Sequence, residues 1–167
     1  GTLAGAEYDL VVQTLPTALG VSATIKLVNR GTFIKDFATL GLEIESARSP
    51  EPRIRLAMRP ELVGNFFNGN LHGGVISAAL DAMGGFALMV AIGEKHAEEG
   101  TPQVMQRFAK MSTIDLSVDY LRPGVGASFL ASAEVMRLGG RIGSTQMRLV
   151  NDQGTLIATA AAAYVIS

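Results

Sequence analysis

His72-Gly73-Gly74-Val75-Ile76-Ser77-Ala78-Ala79-Leu80-Asp81-Ala82-Met83-Gly84-Gly85-Phe86-Ala87-Leu88-Met89-Val90-Ala91-Ile92 is the stretch on which the fold turns. It is almost wholly apolar and about as long as a membrane span of about 20 residues. Asp81, near its middle, argues against a span, because an Asp at that depth costs about 2.5–3.5 kcal/mol on insertion scales. Gly73, Gly74, Gly84 and Gly85 also interrupt the run. A helix apolar on every side and carrying one carboxylate reads instead as the central helix of a globular core. Its expected extent is about 73–95, closed by Gly93 or by Glu94-Lys95-His96.

On the N-terminal side, Arg53-Ile54-Arg55-Leu56-Ala57-Met58 alternates with period two, which predicts a strand that Pro60 ends. Residues 61–71 hold Asn65, Asn68, Gly69 and Asn70 and read as a loop or a short strand with turns. Residues 1–40 form an expected N-terminal helical extension, with helices over 4–14 and 21–40; residues 41–167 form the main domain. On the C-terminal side, residues 97–111 are polar, contain Gly100 and Pro102, and read as a connection. Four strands follow. The first, 113–121, places Ile114, Leu116, Val118 and Tyr120 on one face. The second, Phe129 to Leu138, turns at Gly139-Gly140 into the third, Ile142 to Val150. The last, Thr155 to Ile166, is small or apolar on both faces, as for a central strand buried on two sides. Strands joined by hairpins around one apolar helix make an α+β domain, a curved antiparallel sheet wrapped round that helix.

The 167 residues suit one main core. A net charge of -1, from 14 basic and 15 acidic residues, steers the chain toward neither nucleic acid nor an anionic membrane. With no cysteine, a disulfide scaffold, a thiolate zinc site and a cysteine nucleophile are all excluded. This composition fits a reducing cytoplasm. Residues 1–15 lack a basic segment leading into an apolar run, so no signal peptide is expected.

The chemistry concentrates around the helix. His72-Gly73-Gly74 stands at its N-terminus, where unpaired N–H groups and a partial positive charge face outward. Glycine admits a ligand close to the backbone. Such donors suit a carbonyl oxygen that gains charge under attack, although the glycines would also serve a tight turn capped by His72. Asp81 is the only charged residue between Gly73 and Ile92. A carboxylate there is expensive unless paired or useful, so it is read as a general base or a nucleophile, against a purely structural acid bonded to a strand. Nine residues separate His72 from Asp81, about 13 Å along a helix axis and near opposite faces. The two cannot meet within one chain. A shared site therefore predicts a two-fold assembly in which Asp81 comes from a second subunit. His96 reads as a solvated residue. Two histidines so placed give no metal site, and Ser77 has no histidine at a spacing that suits a triad.

At Gly69-Asn70-Leu71-His72-Gly73-Gly74-Val75-Ile76, followed by Leu80-Asp81, the chain resembles the hotdog-fold thioesterases of the phenylacetate-pathway type, within the 4-hydroxybenzoyl-CoA thioesterase superfamily. Val118-Asp119-Tyr120-Leu121-Arg122-Pro123 is similar to the strand after the helix in that family. The resemblance covers about residues 50–166 and leaves residues 1–40 outside. It implies a hotdog fold in a homodimer or homotetramer that hydrolyses acyl-CoA without metal or cofactor. In that scheme the Gly73 N–H polarises the thioester carbonyl. His72 sets this geometry or stabilises the leaving thiolate, and Asp81 of a neighbouring subunit activates water or attacks. A family asparagine orients the water: Asn65, seven residues before His72 and one more than the family spacing, is preferred over Asn68, four before. A family hydroxyl near the start of the post-helix strand falls on Thr113, with Ser112 beside it. Gly74 and Asn68 would contact substrate, and Arg122, Arg137 and Arg141 are the candidates for the CoA phosphates.

Two other functions fit the same residues. A hotdog dehydratase or hydratase would act on hydroxyacyl or enoyl thioesters through a His–Asp pair, since fold does not fix chemistry. A non-catalytic acyl-CoA binding module would gain little from a buried carboxylate. Met83, Phe86 and Met89 could line an acyl tunnel or simply fill the core.

Overall fold

The structure, a computed structural model, describes Thr14, Leu15, Ala23, Thr24, Phe37 and residues 39–167. The chain separates into two compact units, Gly1–Thr39 and Leu40–Ser167. In the first, β1 (Thr14–Leu15) pairs antiparallel with β2 (Ala23–Thr24). The expected helices at 4–14 and 21–40 lie mostly outside the described residues. Thr14, Ala23 and Thr24 are strand rather than helix, while Phe37, Thr39 and Leu40 are helical.

The second unit runs β3 (Leu42–Ser46), β4 (Arg53–Ala57), a 3₁₀ turn at Pro60–Leu62, β5 (Val63–Asn65), β6 (Asn70–Leu71), α1 (Gly73–Lys95), α2 (Thr101–Phe108), β7 (Ser112–Tyr120), β8 (Ser128–Leu138), β9 (Ile142–Asn151) and β10 (Leu156–Val165). Six strands form one antiparallel sheet in the order β3-β4-β8-β9-β10-β7. α1 lies on one face, against β8, β9, β10, β7 and β4. This is the expected α+β architecture of a sheet around one long helix, and the hotdog expectation holds.

The apolar pattern explains the packing. Leu80, Met83 and Leu88 of α1 are fully buried, as are Phe129, Met147 and Leu149 on the facing strands. Burying one such side chain contributes about 1.5–3 kcal/mol. By length and composition α1 passes for a membrane span, yet 67% of its most apolar window is buried inside the unit. Small residues let helix and sheet close together. A β-carbon on Gly143 would stand 2.6 Å from Leu88 Cδ2, so any larger residue there would push the Leu88 side chain aside.

Four features depart from the sequence reading. β3 was not anticipated, although Leu42-Glu43-Ile44-Glu45 alternates with period two; charge is usual on an edge strand, and Arg55 Nε donates to Glu45 at 2.8 Å. The polar segment after α1 contains a helix, α2. Gly100 and Pro102 do not break it but begin it, as N-cap and first-turn proline, and Phe108 anchors it in the core. β7 does not form a hairpin with β8. The chain crosses the sheet end so that β7 pairs with β10 and becomes an edge. β10 is flanked on both sides, but beyond Ile157 only its helix-facing side, Ala158, Ala160, Ala162 and Tyr164, is buried; Ala161 on the other side is exposed.

The face of β7 also differs. Val118 and Leu116 pair with Ala160 and Ala162 on the helix side, but a bulge beside Ala163/Tyr164 then sets Thr113, not Ile114, opposite Tyr164. The extra residue breaks the alternation, as bulges do. Ile114 is left 53% exposed and Thr113 is swung onto the face that meets α1.

Candidate functional site

Backbone geometry builds the first part of the site at the start of α1. β5 and β6 form a small ladder, and His72 N–H donates to Leu62 O at 2.8 Å, which seats His72 as N-cap. Its Nδ1 accepts from Gly74 N–H at 2.9 Å, satisfying one of the orphan donors of the first turn. In that bond Nδ1 is the acceptor. Gly73 N–H, next in line, has no acceptor among the described residues. On its other side, Gly73 O and the hydroxyls of Tyr120 and Ser77 form a triangle, each hydroxyl 3.1 Å from Gly73 O and the two hydroxyls against each other, with two protons shared among the three contacts. Gly64 has to be glycine because a β-carbon would stand 2.7 Å from His72 Cα.

The second part surrounds Asp81. Thr113 Oγ1 donates to Asp81 Oδ1 at 2.9 Å. Tyr164 OH reaches the same Oδ1 at 3.2 Å and the Asp81 carbonyl at 3.0 Å. Oδ2 accepts from no described residue and is not sealed from solvent. Burial, with the Asp81 charge and hydrogen bond added, holds the Tyr164 phenol well above its ordinary range, so it stays a neutral donor.

The two parts do not touch. They are joined by nine residues of helix, and β7 runs back along α1 with Tyr120 beside Gly73 and Thr113 beside Asp81. The remaining candidates divide between the same two ends. Asn65 accepts from Phe67 N–H at 3.0 Å through its side chain and closes the turn before β6; Asn68 N–H donates to Asn65 O at 3.3 Å. No contact links either asparagine to Asp81 within the chain. Arg122 Nη1 donates to Leu156 O at 2.9 Å at the Gly73 end. Arg137 and Arg141 are exposed at the β8–β9 hairpin, the end of the sheet that holds Tyr164. An open groove on the outer face, lined by Glu51, Asp119, Glu134 and Arg148 among others, contains none of these residues.

Tyr120, Tyr164 and the role of Ser77 were missed from sequence. Tyr164 had a signal: it is the one large residue continuing the small run Ala160, Ala162 on the same face. Ser77 was weighed only as a nucleophile.

Comparison with known proteins gives a consistent set. The family model described as Thioesterase superfamily matches residues 68–158. Medium/long-chain acyl-CoA thioesterase YigI of Escherichia coli (strain K12) is 35% identical over 127 residues, 76% of this chain and 82% of the relative. The Salmonella typhimurium protein of the same name is 36% identical over the same shares. Among solved structures, a Shewanella oneidensis protein described as related to the thioesterase superfamily is 34% identical, with a TM-score of 0.73 over 78% of this chain and 86% of that one.

Proposed function

Since the chain belongs to the thioesterase superfamily, we propose that it hydrolyses medium- or long-chain acyl-CoA to free acid and CoA, at sites shared between two copies of the chain. The observation that carries this reading is the pairing of two incomplete halves. One end of α1 offers an unpaired amide with no acid near it; the other offers a carboxylate with one oxygen bonded and one open.

A two-fold operation that pairs the β7 edge with its own copy, antiparallel, sets the Tyr120 end of one strand beside the Ser112 end of the other. Gly73 of one copy then approaches Asp81 of the second. Exposed Ile114, Tyr120, Phe66 and Phe67 support an assembly, since each is more than half exposed in the single chain. Arg122 of one copy and Arg137 and Arg141 of the other would flank one site and meet the CoA phosphates.

In this site the Gly73 N–H hydrogen-bonds the thioester oxygen, with Gly74 and His72 holding the first turn. One such donor contributes about 3–4 kcal/mol to lowering a barrier. Asp81 takes a proton from water as the water oxygen bonds to the carbonyl carbon, with Thr113 holding the acid and Asn65 or Asn68 steering the water. The C–S bond then breaks, and the CoA thiolate leaves and takes up a proton. Direct attack by Asp81, giving an anhydride that water opens, uses the same atoms. No metal or cofactor enters either route, and a cytoplasmic setting suits the substrate.

The test is free-thiol release from an acyl-CoA panel of increasing chain length. Turnover rising from short to medium and long acyl groups is expected. Binding without thiol release, or hydration of an enoyl-CoA instead, would defeat the reading.

A further inference from the structure

Tyr164 is 3% exposed, and its hydroxyl shares its one proton between the Asp81 main-chain carbonyl at 3.0 Å and Asp81 Oδ1 at 3.2 Å, with Thr145 and the Gly85 backbone as its other hydrogen-bond partners. Phenylalanine would fill the same core volume, so packing alone does not call for the oxygen. The helix is shaped to receive it. Gly84 lies three residues beyond Asp81 on the same face, and a β-carbon there would collide with the Tyr164 hydroxyl. The hydroxyl thus enters a notch in α1 and touches the turn that carries the acid. Thr113, swung inward by the β7 bulge, reaches Oδ1 from the next strand.

We propose that Tyr164 is a positioning residue for Asp81: together with Thr113 it pins Oδ1 from the sheet side and leaves Oδ2 as the oxygen that meets water or the carbonyl carbon. The proposal rests on Asp81 being the reacting carboxylate. Two donors from adjacent strands fix both the height and the rotation of the carboxylate plane. A displacement of about 1 Å in such a group can cost about 100-fold in rate. Gly84, costly to a helix at about 1 kcal/mol, gains a reason: it opens the notch.

The experiment uses the full chain in its native assembly and free-thiol release from a medium-chain acyl-CoA. Tyr164→Phe removes one oxygen and keeps the ring. The expected result is a fall in kcat of about 10- to 100-fold with KM within about twofold of wild type. A double-mutant cycle with Asp81→Asn separates the roles: if Tyr164 acts through Asp81, its loss has no further effect once the carboxylate is gone. A general loss of folding or packing would instead lower the rate by the same factor in both backgrounds, and that result overturns the proposal. So does a Tyr164→Phe enzyme with wild-type kcat, in a protein where Asp81→Asn is impaired. If wild type releases no thiol, or Asp81→Asn matches it, the proposed function fails and takes this inference with it.

Discussion

Gly84 is bare where Tyr164 arrives, and a β-carbon in that place would also stand 2.5 Å from Met147 Sδ and 2.8 Å from Thr145 Oγ1. Helix propensity favours alanine at such a position by about 1 kcal/mol. Crowding in a filled core costs about 1–3 kcal/mol. Three neighbours must move here, two of them on β9 and one on β10, so crowding wins. Gly84→Ala is expected to lower the denaturant midpoint, and an unchanged or raised midpoint would show that the notch is not tight.

Gly73→Pro tests the amide without touching the fold. Proline is tolerated at the first position of a helix, where the N–H has no helical acceptor. His72, at φ -62° and ψ 134°, already has the extended conformation required before a proline. The expected outcome is a normal melting temperature with kcat lowered about 100- to 1000-fold. A proline variant with wild-type turnover removes Gly73 from the mechanism.

Asp81→Asn is expected to lower kcat by about 100- to 10,000-fold, the usual worth of a general base. Mixing it with Gly73→Pro asks where the halves of a site come from. Random reassociation gives hybrids that contain one intact site, so about a quarter of wild-type activity should return for a two-fold shared site. If the mixture stays as dead as its parents, each site belongs to a single chain.

His72 closes the first turn through its ring nitrogen, so His72→Ala should cost about 0.5–2 kcal/mol of stability by equilibrium denaturation. His72→Asn, which keeps an acceptor at the cap, should recover most of that loss. Equal losses in both variants would mean the cap is not what the ring supplies.

Tyr164 links stability to alkaline pH. In the folded chain its phenol is held protonated above the ordinary value of 10.0, whereas the unfolded chain ionises near that value. Above about pH 10 the unfolded state therefore binds fewer protons than the folded one, and stability falls as pH rises. Below that pH the contribution is complete. Urea midpoints measured from pH 8 upward should decline more steeply in wild type than in Tyr164→Phe; parallel curves would count against a buried neutral phenol.

Much of this was legible in the sequence because one stretch was so unlike the rest. An apolar helix with one acid had to be wrapped, and the alternating strands after it had to do the wrapping. The resemblance singled out Thr113 as a hydroxyl of interest but named no partner for it; its bond to Asp81 came only with the structure, since simple alternation put Thr113 on the other face. A bulge needs one extra residue and no special composition, so Ile114 gave no sign of it. β3 was missed because its alternation lasts only four residues, Leu42 to Glu45, and α2 by reading Gly100 and Pro102 as breakers instead of starters. Tyr164 escaped because its hydroxyl meets Asp81, 83 positions away in the chain.

β7 ends the sheet with a nine-residue backbone that has no neighbour on its outer side among the described residues. A newly made subunit therefore carries an open ladder of donors and acceptors flanked by greasy side chains, a template for whichever strand arrives first. In the two-fold assembly proposed above, finding its twin is then a race against clumping. Dilution starves the encounter and overproduction invites the wrong one, so soluble yield should pass through an optimum in expression rate.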